Sequence, residues 1–314
     1  MRAVVTGAAG FIGSNLCRTL LEEGFSVRGI DSFTDYYPRW IKERNIAPLL
    51  ENADFQFLER DLDTADLEAI LDGAGCVFHL AAQAGVRASW GRSFDIYTKN
   101  NIQATQKLLE AAKDLRLEKF IYASSSSVYG LTPVLPMAES NPVHPLSPYG
   151  VTKLAAEQLC YLYAKSFGVP TVSLRFFTVY GPAQRPDMAF HKFFKAMAEG
   201  KEIPVFGDGR QTRDFTFVED IVRANLSALA SGKPGETYNV GGGHRETLAD
   251  VIRLMEGVSG ARARILRLEA QKGDVPDTWA DIRKAAADLG YAPRTRLEEG
   301  LEREWRWIRE LYSV

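Results

Sequence analysis

Long apolar runs are missing from this 314-residue chain. No stretch of about 18 consecutive apolar residues occurs, so no membrane-crossing helix is expected. A basic, apolar and small-residue series ahead of Arg2 is missing too, so no signal peptide is expected. Cysteine is scarce. Cys17, Cys76 and Cys160 are odd in number and widely spaced, with no C-x-x-C and no Cys/His pairing, which argues against a disulfide framework and against a metal site. They read as small buried hydrophobes of a reducing cytoplasm. The four histidines, His79, His144, His191 and His244, form no recognisable catalytic constellation. Excess positive charge is also lacking: 38 Lys and Arg against 40 Asp and Glu give a net charge of -2, which argues against nonspecific nucleic-acid binding. Neither nucleic acid nor membrane is therefore expected as a partner.

What is present is a globular composition, with 46% hydrophobic and 25% charged residues. At roughly 150 residues per domain the length allows one large domain or two moderate ones. Short apolar runs at 2–6, 25–30, 55–58, 76–80 and 119–123 alternate with helical patterns, including 94–115 and 148–167. Strands alternating with helices predict a parallel sheet covered on both faces, and runs apolar throughout fit strands buried on both sides. After Pro170 the rhythm loosens. A strand at 169–177 precedes Pro- and Gly-marked segments at 181–187 and 204–213. Helices are expected near 188–199, 217–230, 247–258 and 297–311, with strands at 236–240 and 262–268. The expected fold is α/β: a Rossmann-type doubly wound parallel sheet with a smaller mixed α/β C-terminal lobe. Residues 1–170 would mainly form the dinucleotide-binding domain and 171–314 mainly the substrate lobe, with some elements returning to the first. No linker, repeat or low-complexity segment separates them.

Gly7-Ala-Ala-Gly10-Phe-Ile-Gly13 lies between the first strand and the first helix. Glycines there permit a tight turn and close approach of the backbone to a pyrophosphate, and the helix N-terminus supplies free N–H groups. The spacing is G-x-x-G-x-x-G, and a glycine loop alone also makes an ordinary tight turn. Context strengthens the reading. Asp31 ends the second strand, where an acid accepts from adenosine ribose hydroxyls and repels a 2′-phosphate. Ser32 and Phe33 follow it instead of arginines, which favours NAD over NADP. Asp61-Leu62 follows the third strand and is placed to frame the adenine. Leu80-Ala81-Ala82-Gln83 follows the fourth, with small residues where backbone must approach a ligand.

Tyr149-Gly-Val-Thr-Lys153 opens a predicted helix and places both side chains on one face. An ammonium beside the phenol, with a cationic nicotinamide, favours the phenolate, so Tyr149 is a candidate general acid/base. Lys153 is also expected to bind the nicotinamide ribose. Upstream, a strand runs into Ser124-Ser125-Ser126-Ser127-Val128-Tyr129-Gly130, at a strand C-terminus where open parallel sheets bind ligands. Such hydroxyls can bond a sugar hydroxyl and relay its proton.

Taken together, these residues resemble the extended short-chain dehydrogenase/reductase family of nucleotide-sugar epimerases and dehydratases, over essentially the whole chain. The likeness includes the glycine loop, Asp31, Asn101 in N-x-x-A-T, Ser125/Tyr149/Lys153, Arg213-Asp214-Phe215 and Gly273-Asp274-Val275. It implies NAD contacts from Gly7, Gly10, Phe11, Ile12, Gly13, Asp31, Ser32, Asp61, Leu62, Leu80, Ala81, Ala82, Gln83, Asn101, Tyr149, Lys153 and Phe176, with Tyr149, Lys153 and Ser125 catalytic. It also implies a cytoplasmic homodimer paired through the helices at 94–115 and 148–167, with Leu108, Leu109, Leu154, Leu159 and Leu162 available.

Residue identity then narrows the reaction. Related 4,6-dehydratases carry Asp-Glu where Ser126 and Ser127 stand, and UDP-glucuronate decarboxylases carry Glu at the Ser127 position. Without that second carboxylate, C4 epimerisation of a UDP-sugar remains as the simple outcome. Thr178, followed by Gln184-Arg-Pro-Asp-Met188, is similar to the UDP-glucuronate 4-epimerases, whereas UDP-glucose 4-epimerases usually have Asn at 178. The Tyr36-Tyr37 pair agrees, and so does Gln271 where UDP-glucose epimerases tend to have Arg. Ala84-Gly-Val-Arg87 also fits that group, but its neighbouring Tyr is replaced by Ala88. The likeness places Arg87, Ser126, Ser127, Thr178, Arg185, Arg213 and Asp274 on the substrate. Arg213 is expected near the diphosphate, Asp274 on the uridine ribose, and Arg185 on either the diphosphate or a carboxylate. The alternative reading is a UDP-glucose or UDP-N-acetylhexosamine 4-epimerase.

Overall fold

In the computed structural model, which describes residues 1–243, 245–269 and 273–313, the elements follow in this order. The first half contains β1 (Arg2–Thr6), α1 (Phe11–Glu22), β2 (Ser26–Asp31), α2 (Arg39–Leu50), β3 (Phe55–Glu59), α3 (Leu67–Leu71), β4 (Cys76–His79), α4 (Phe94–Tyr97), α5 (Ala104–Ala112), β5 (Lys119–Ser125) and α6 (Pro148–Phe167). The second half contains β6 (Thr171–Phe176), β7 (Thr178–Tyr180), α7 (Ala189–Ala198), β8 (Glu202–Phe206), β9 (Thr212–Arg213), β10 (Phe215–Phe217), α8 (Val218–Ser231), β11 (Glu236–Val240), β12 (Glu246–Thr247), α9 (Leu248–Ser259), β13 (Arg264–Leu268), α10 (Arg283–Leu289) and α11 (Leu297–Tyr312).

Seven parallel strands form the main sheet in the order β3-β2-β1-β4-β5-β6-β11. The order reverses between β1 and β4, so the loops after these strands open a crevice at the carboxyl edge. The side chains of β4 and β6 are buried throughout, as expected for strands covered on both faces. Thus β6 and β11, both beyond residue 170, complete the sheet begun by the first half. The remaining strands make three small pairs, β7 with β10, β9 with β12 and β8 with β13.

Helix α6 shows how local sequence places a reactive group. The Ser147 hydroxyl accepts from Gly150 N–H, Pro148 takes the first helical position, and Gly168 ends the helix in the left-handed conformation. Tyr149 is thereby fixed in the first turn, beside the positive end of the helix dipole. The run expected as one helix at 94–115 is more broken: a π-helical stretch at Thr98–Gln103 separates α4 from α5. Of the five leucines named for pairing, Leu108 and Leu109 are core residues, Leu154 and Leu159 are half-buried, and Leu162 is exposed.

The three cysteines are buried free thiols. His79 is a core histidine between Thr6 and Thr105, held neutral as burial lowers it to about 3. His144 pairs by backbone with Gly130, and His244 lies outside the described residues. No described helix is long and apolar enough to cross a membrane.

Candidate active site

A cleft of about 840 Å³ follows the carboxyl edge of the sheet and runs under the C-terminal lobe. One end is built from the β1–α1 turn. Gly7 has a left-handed φ of 72°, and a methyl on it would lie 2.9 Å from the backbone nitrogen of Ala81. A methyl on Gly13 would overlap the Gly7 carbonyl oxygen. No side chain caps the N-terminus of α1, so its first N–H groups face the cleft as an anion site. Asp31 receives Ala9 N–H at 3.2 Å, Phe33 N–H at 2.9 Å and the Lys42 ammonium at 3.1 Å. The Asp31–Lys42 pair is buried at the cleft wall and keeps acceptor capacity for a ribose hydroxyl. These features fit a dinucleotide.

The middle of the cleft holds the proton-transfer groups. Burial pushes the Tyr149 phenol up, while a hydrogen bond with Ser125 and the charge of Arg185 oppose the rise. The sequence reading sets Lys153 and a cationic nicotinamide together on the side of the phenolate; among the protein's own groups alone, burial is the larger influence. Lys153 is itself pushed down to about 7 by burial, with Cys160 and Glu157 on its inner side opposing the fall. Its ammonium makes no ion pair among the described residues and lies 4.4 Å from the Tyr122 ring centre, facing the cleft. Tyr97 packs edge-on against Tyr149 at 6.3 Å and donates to the backbone at Ala84 and Gly85.

Beyond Tyr149 stand Ser126, Ser127, Thr178 and Arg185. Burial opposes the Arg185 charge, but a two-armed ion pair with Asp187 at 2.9 and 3.0 Å holds its guanidinium above its ordinary value. The loop carrying Arg185 is held from several sides. Ala183 has a left-handed φ of 70°. Pro182 O accepts from Asn15 at 3.1 Å, Gly181 N–H donates to Glu304 at 2.8 Å, and Gln184 O is 2.7 Å from His191 Nδ1. Burial pushes the Glu304 carboxyl well above its ordinary value, and it accepts from the Gly181 N–H.

Most residues named from sequence meet at this cleft: the glycine loop with Phe11 and Ile12, Asp31, Ser32, Asp61, Leu62, Leu80 to Gln83, Ser125, Tyr149, Lys153, Phe176, Arg87, Ser126, Ser127, Thr178, Arg185 and Asp274. Two do not line it. Asn101 sits behind the wall on the π-helical turn, accepts from Gln83 N–H at 2.7 Å and donates to Gln83 O at 3.0 Å. It orients the loop after β4. Arg213 is held by the carbonyls of Thr212 and Pro276, close behind Asp274. Arg87 and Asp274 pair with one another at 2.6 Å, and the Arg87 guanidinium lies 4.0 Å from the Phe206 ring centre. Gln271 lies outside the described residues. Sequence reasoning missed Lys42 and Phe206 as wall residues, and named Asp187 only within the Gln184–Met188 motif. Lys42 was recoverable only through α2, whose RWIKERNIAPLL run shows no apolar stripe and contains Pro48.

Comparison with known proteins agrees with this geometry. Residues 3–241 match the model of the NAD dependent epimerase/dehydratase family. The solved Bacillus cereus UDP-glucuronic acid 4-epimerase, in complex with UDP-glucuronic acid and NAD, superposes with a TM-score of 0.97 at 48% identity, over 99% of this chain and 100% of that one. A Thermodesulfobacterium geofontis UDP-glucuronate 4-epimerase is 41% identical over 98% of this chain and 96% of its own length. A Bacillus subtilis protein named as an uncharacterized UDP-glucose epimerase is 47% identical over 100% of this chain and 99% of its own length. With its glycine turn, buried Asp31 and Ser125/Tyr149/Lys153 centre along one crevice, the chain belongs to the NAD dependent epimerase/dehydratase family.

Proposed function

We propose that this chain catalyses the NAD-dependent C4 epimerisation of UDP-glucuronate to UDP-galacturonate, as an isomerase. The observation that carries the reading is the cleft around Tyr149. It joins a proton-transfer tyrosine to Ser126, Ser127, Thr178 and Arg185, with no carboxylate at positions 126 and 127. Relatives named for UDP-glucuronate support it.

Bound NAD supplies the hydride chemistry at C4. Tyr149 Oη would take the proton of the C4 hydroxyl, with Ser125 bonded to both partners, as C4 gives up its hydride to the bound cofactor. After the 4-keto sugar has turned over, the same hydride would come back to the opposite face of C4 and Tyr149 would return the proton to the C4 oxygen. Arg185 and the N-terminus of α6 stabilise the phenolate that burial resists. Lys153 holds the nicotinamide ribose. Asp31 takes the adenosine ribose, and the α1 N-terminus takes the pyrophosphate. Asp61 and Leu62 frame the adenine. Asp274 takes the uridine ribose, with Arg213 behind it and Arg87 beside it near the diphosphate. A cytoplasmic homodimer follows from the same reading, with Val151, Tyr161, Leu162 and Phe167 of α6 the large exposed apolar side chains on one paired helix.

The test is an NMR time course of purified protein with UDP-glucuronate, no cofactor added, beside a second tube of UDP-glucose. UDP-galacturonate is expected in the first tube only. A second reading, a neutral UDP-hexose epimerase, is favoured by the name of the Bacillus subtilis relative, and UDP-galactose in the second tube would establish it.

Thr178 bears on selectivity. The 4-keto form of glucuronate is a β-keto acid that loses carbon dioxide when the carboxylate bond aligns with the carbonyl π system. Neutral bonds from Ser126, Ser127 and Thr178 would hold it out of alignment. Thr178→Ala is expected to raise the share of decarboxylated 4-keto pentose several-fold by NMR, and an unchanged product ratio would remove this role.

A further inference from the structure

The helix that carries Tyr149 and Lys153 presents a third polar residue on its inner face. Glu157 lies one turn beyond Lys153 and two beyond Tyr149 on α6, and it is 2% exposed. Its carboxylate is fully engaged. Arg175 on β6 donates through Nη2 at 2.6 Å and through Nε at 3.0 Å, and the Ser124 hydroxyl on β5 donates at 2.6 Å. Arg175 also donates to the Tyr129 hydroxyl at 2.8 Å, which donates to Asn239 on β11 at 2.7 Å.

Stability does not require such a pair. Two buried charges repay their desolvation only partly, and an apolar pair of similar volume holds a fold as well or better. Placement is what distinguishes this one. Glu157 shares a helix with Tyr149 and Lys153. Through Ser124 it holds the strand end that carries Ser125. Through Arg175 it holds the strand that leads into Thr178. The Ser125–Tyr149 contact spans α6 and β5, so any slip between these two elements opens it. Misplacement of a reacting group by about 1 Å is enough to cost roughly 100-fold in rate.

We propose that Glu157 is a positioning residue for the reaction, locking β5 and β6 to α6 so that Ser125 meets Tyr149. This rests on Tyr149 as the proton-transfer group. Its role lies in the chemical step and not in substrate affinity, so it shows in kcat more than in KM.

Five variants assayed with UDP-glucuronate test the assignment: Ser124→Ala, Glu157→Gln, the double variant of these two, the paired replacement Glu157→Leu with Arg175→Met, and Tyr149→Phe as the reference. Ser124→Ala is expected to keep NAD and Tm while kcat falls about 5- to 10-fold, with KM within about threefold. Glu157→Gln and the apolar pair are expected to lose roughly 10- to 100-fold in kcat at similar KM. Adding Ser124→Ala to Glu157→Gln should cost little more, because both cut one connection. If Ser124→Ala and the apolar pair both turn over within about twofold of the parent, the assignment is overturned. Should the Glu157 variants lose NAD or fail to fold, Ser124→Ala decides alone. Full activity in Tyr149→Phe would instead overturn the reading beneath it.

Discussion

Tyr149→Phe is expected to keep its fold and its NAD while kcat falls roughly 10²- to 10⁴-fold, the usual contribution of a positioned acid/base. The substitution is close to isosteric, and the edge-on contact with Tyr97 at 6.3 Å involves only the ring. What disappears is the hydroxyl that bonds Ser125. The loss corresponds to about 3–5 kcal/mol of transition-state stabilisation. The alternative base in the cleft is Lys153, which burial brings down to about 7, near working pH. If Lys153 moved the C4 proton, Tyr149→Phe would retain most of its rate, and Lys153→Met would carry the loss alone. Measuring kcat and bound NAD for both variants separates the two. A Tyr149→Phe enzyme within about tenfold of the parent would move the base elsewhere.

The parts of this molecule that were legible in the sequence are those where local chemistry decides. The glycine turn, the short apolar strands and the helix at 148–167 each read from a few neighbouring residues, and the structure shows each of them where expected. Legibility failed where partners are distant or periodicity is weak. Lys42 pairs with Asp31 from a helix without an apolar stripe. Arg87 meets Asp274 across 187 positions, which no spacing rule anticipates. Asn101 shows a subtler limit. Family likeness placed it on the cofactor, yet its side chain is spent on the backbone of Gln83 and the Thr152 hydroxyl. A motif marks that a residue matters at a site and leaves open whether it touches the ligand. The acidity of Tyr149 shows the same limit in energies. Sequence reveals a nearby ammonium but not the depth of burial, and here burial is the larger influence.

The largest effect on cofactor retention is expected at Gly13. A methyl there would overlap the Gly7 carbonyl oxygen and come within 2.8 Å of its carbon and 3.0 Å of the Ala8 Cα. All three are backbone atoms, so no flexible side chain can move aside. The turn cannot open freely either, because Gly7 and Ala8 N–H groups both donate to Ile30 O, at 2.7 and 3.1 Å. Relief must therefore come from displacing the N-terminus of α1, the element aimed at the pyrophosphate. Purified Gly13→Ala is expected to carry no NAD, to melt several degrees below the parent, and to lose at least about 100-fold in turnover even with NAD added. Gly24→Ala supplies the contrast. Gly24 has a left-handed φ of 78°, but a methyl there meets nothing within 4 Å. It should cost about 1–2 kcal/mol of backbone strain and leave bound NAD unchanged. Loss of NAD in both variants would mean that retention simply follows global stability. Loss in Gly13→Ala alone would tie it to the close approach of α1 to the turn, the feature that makes this loop a phosphate cradle as well as a bend.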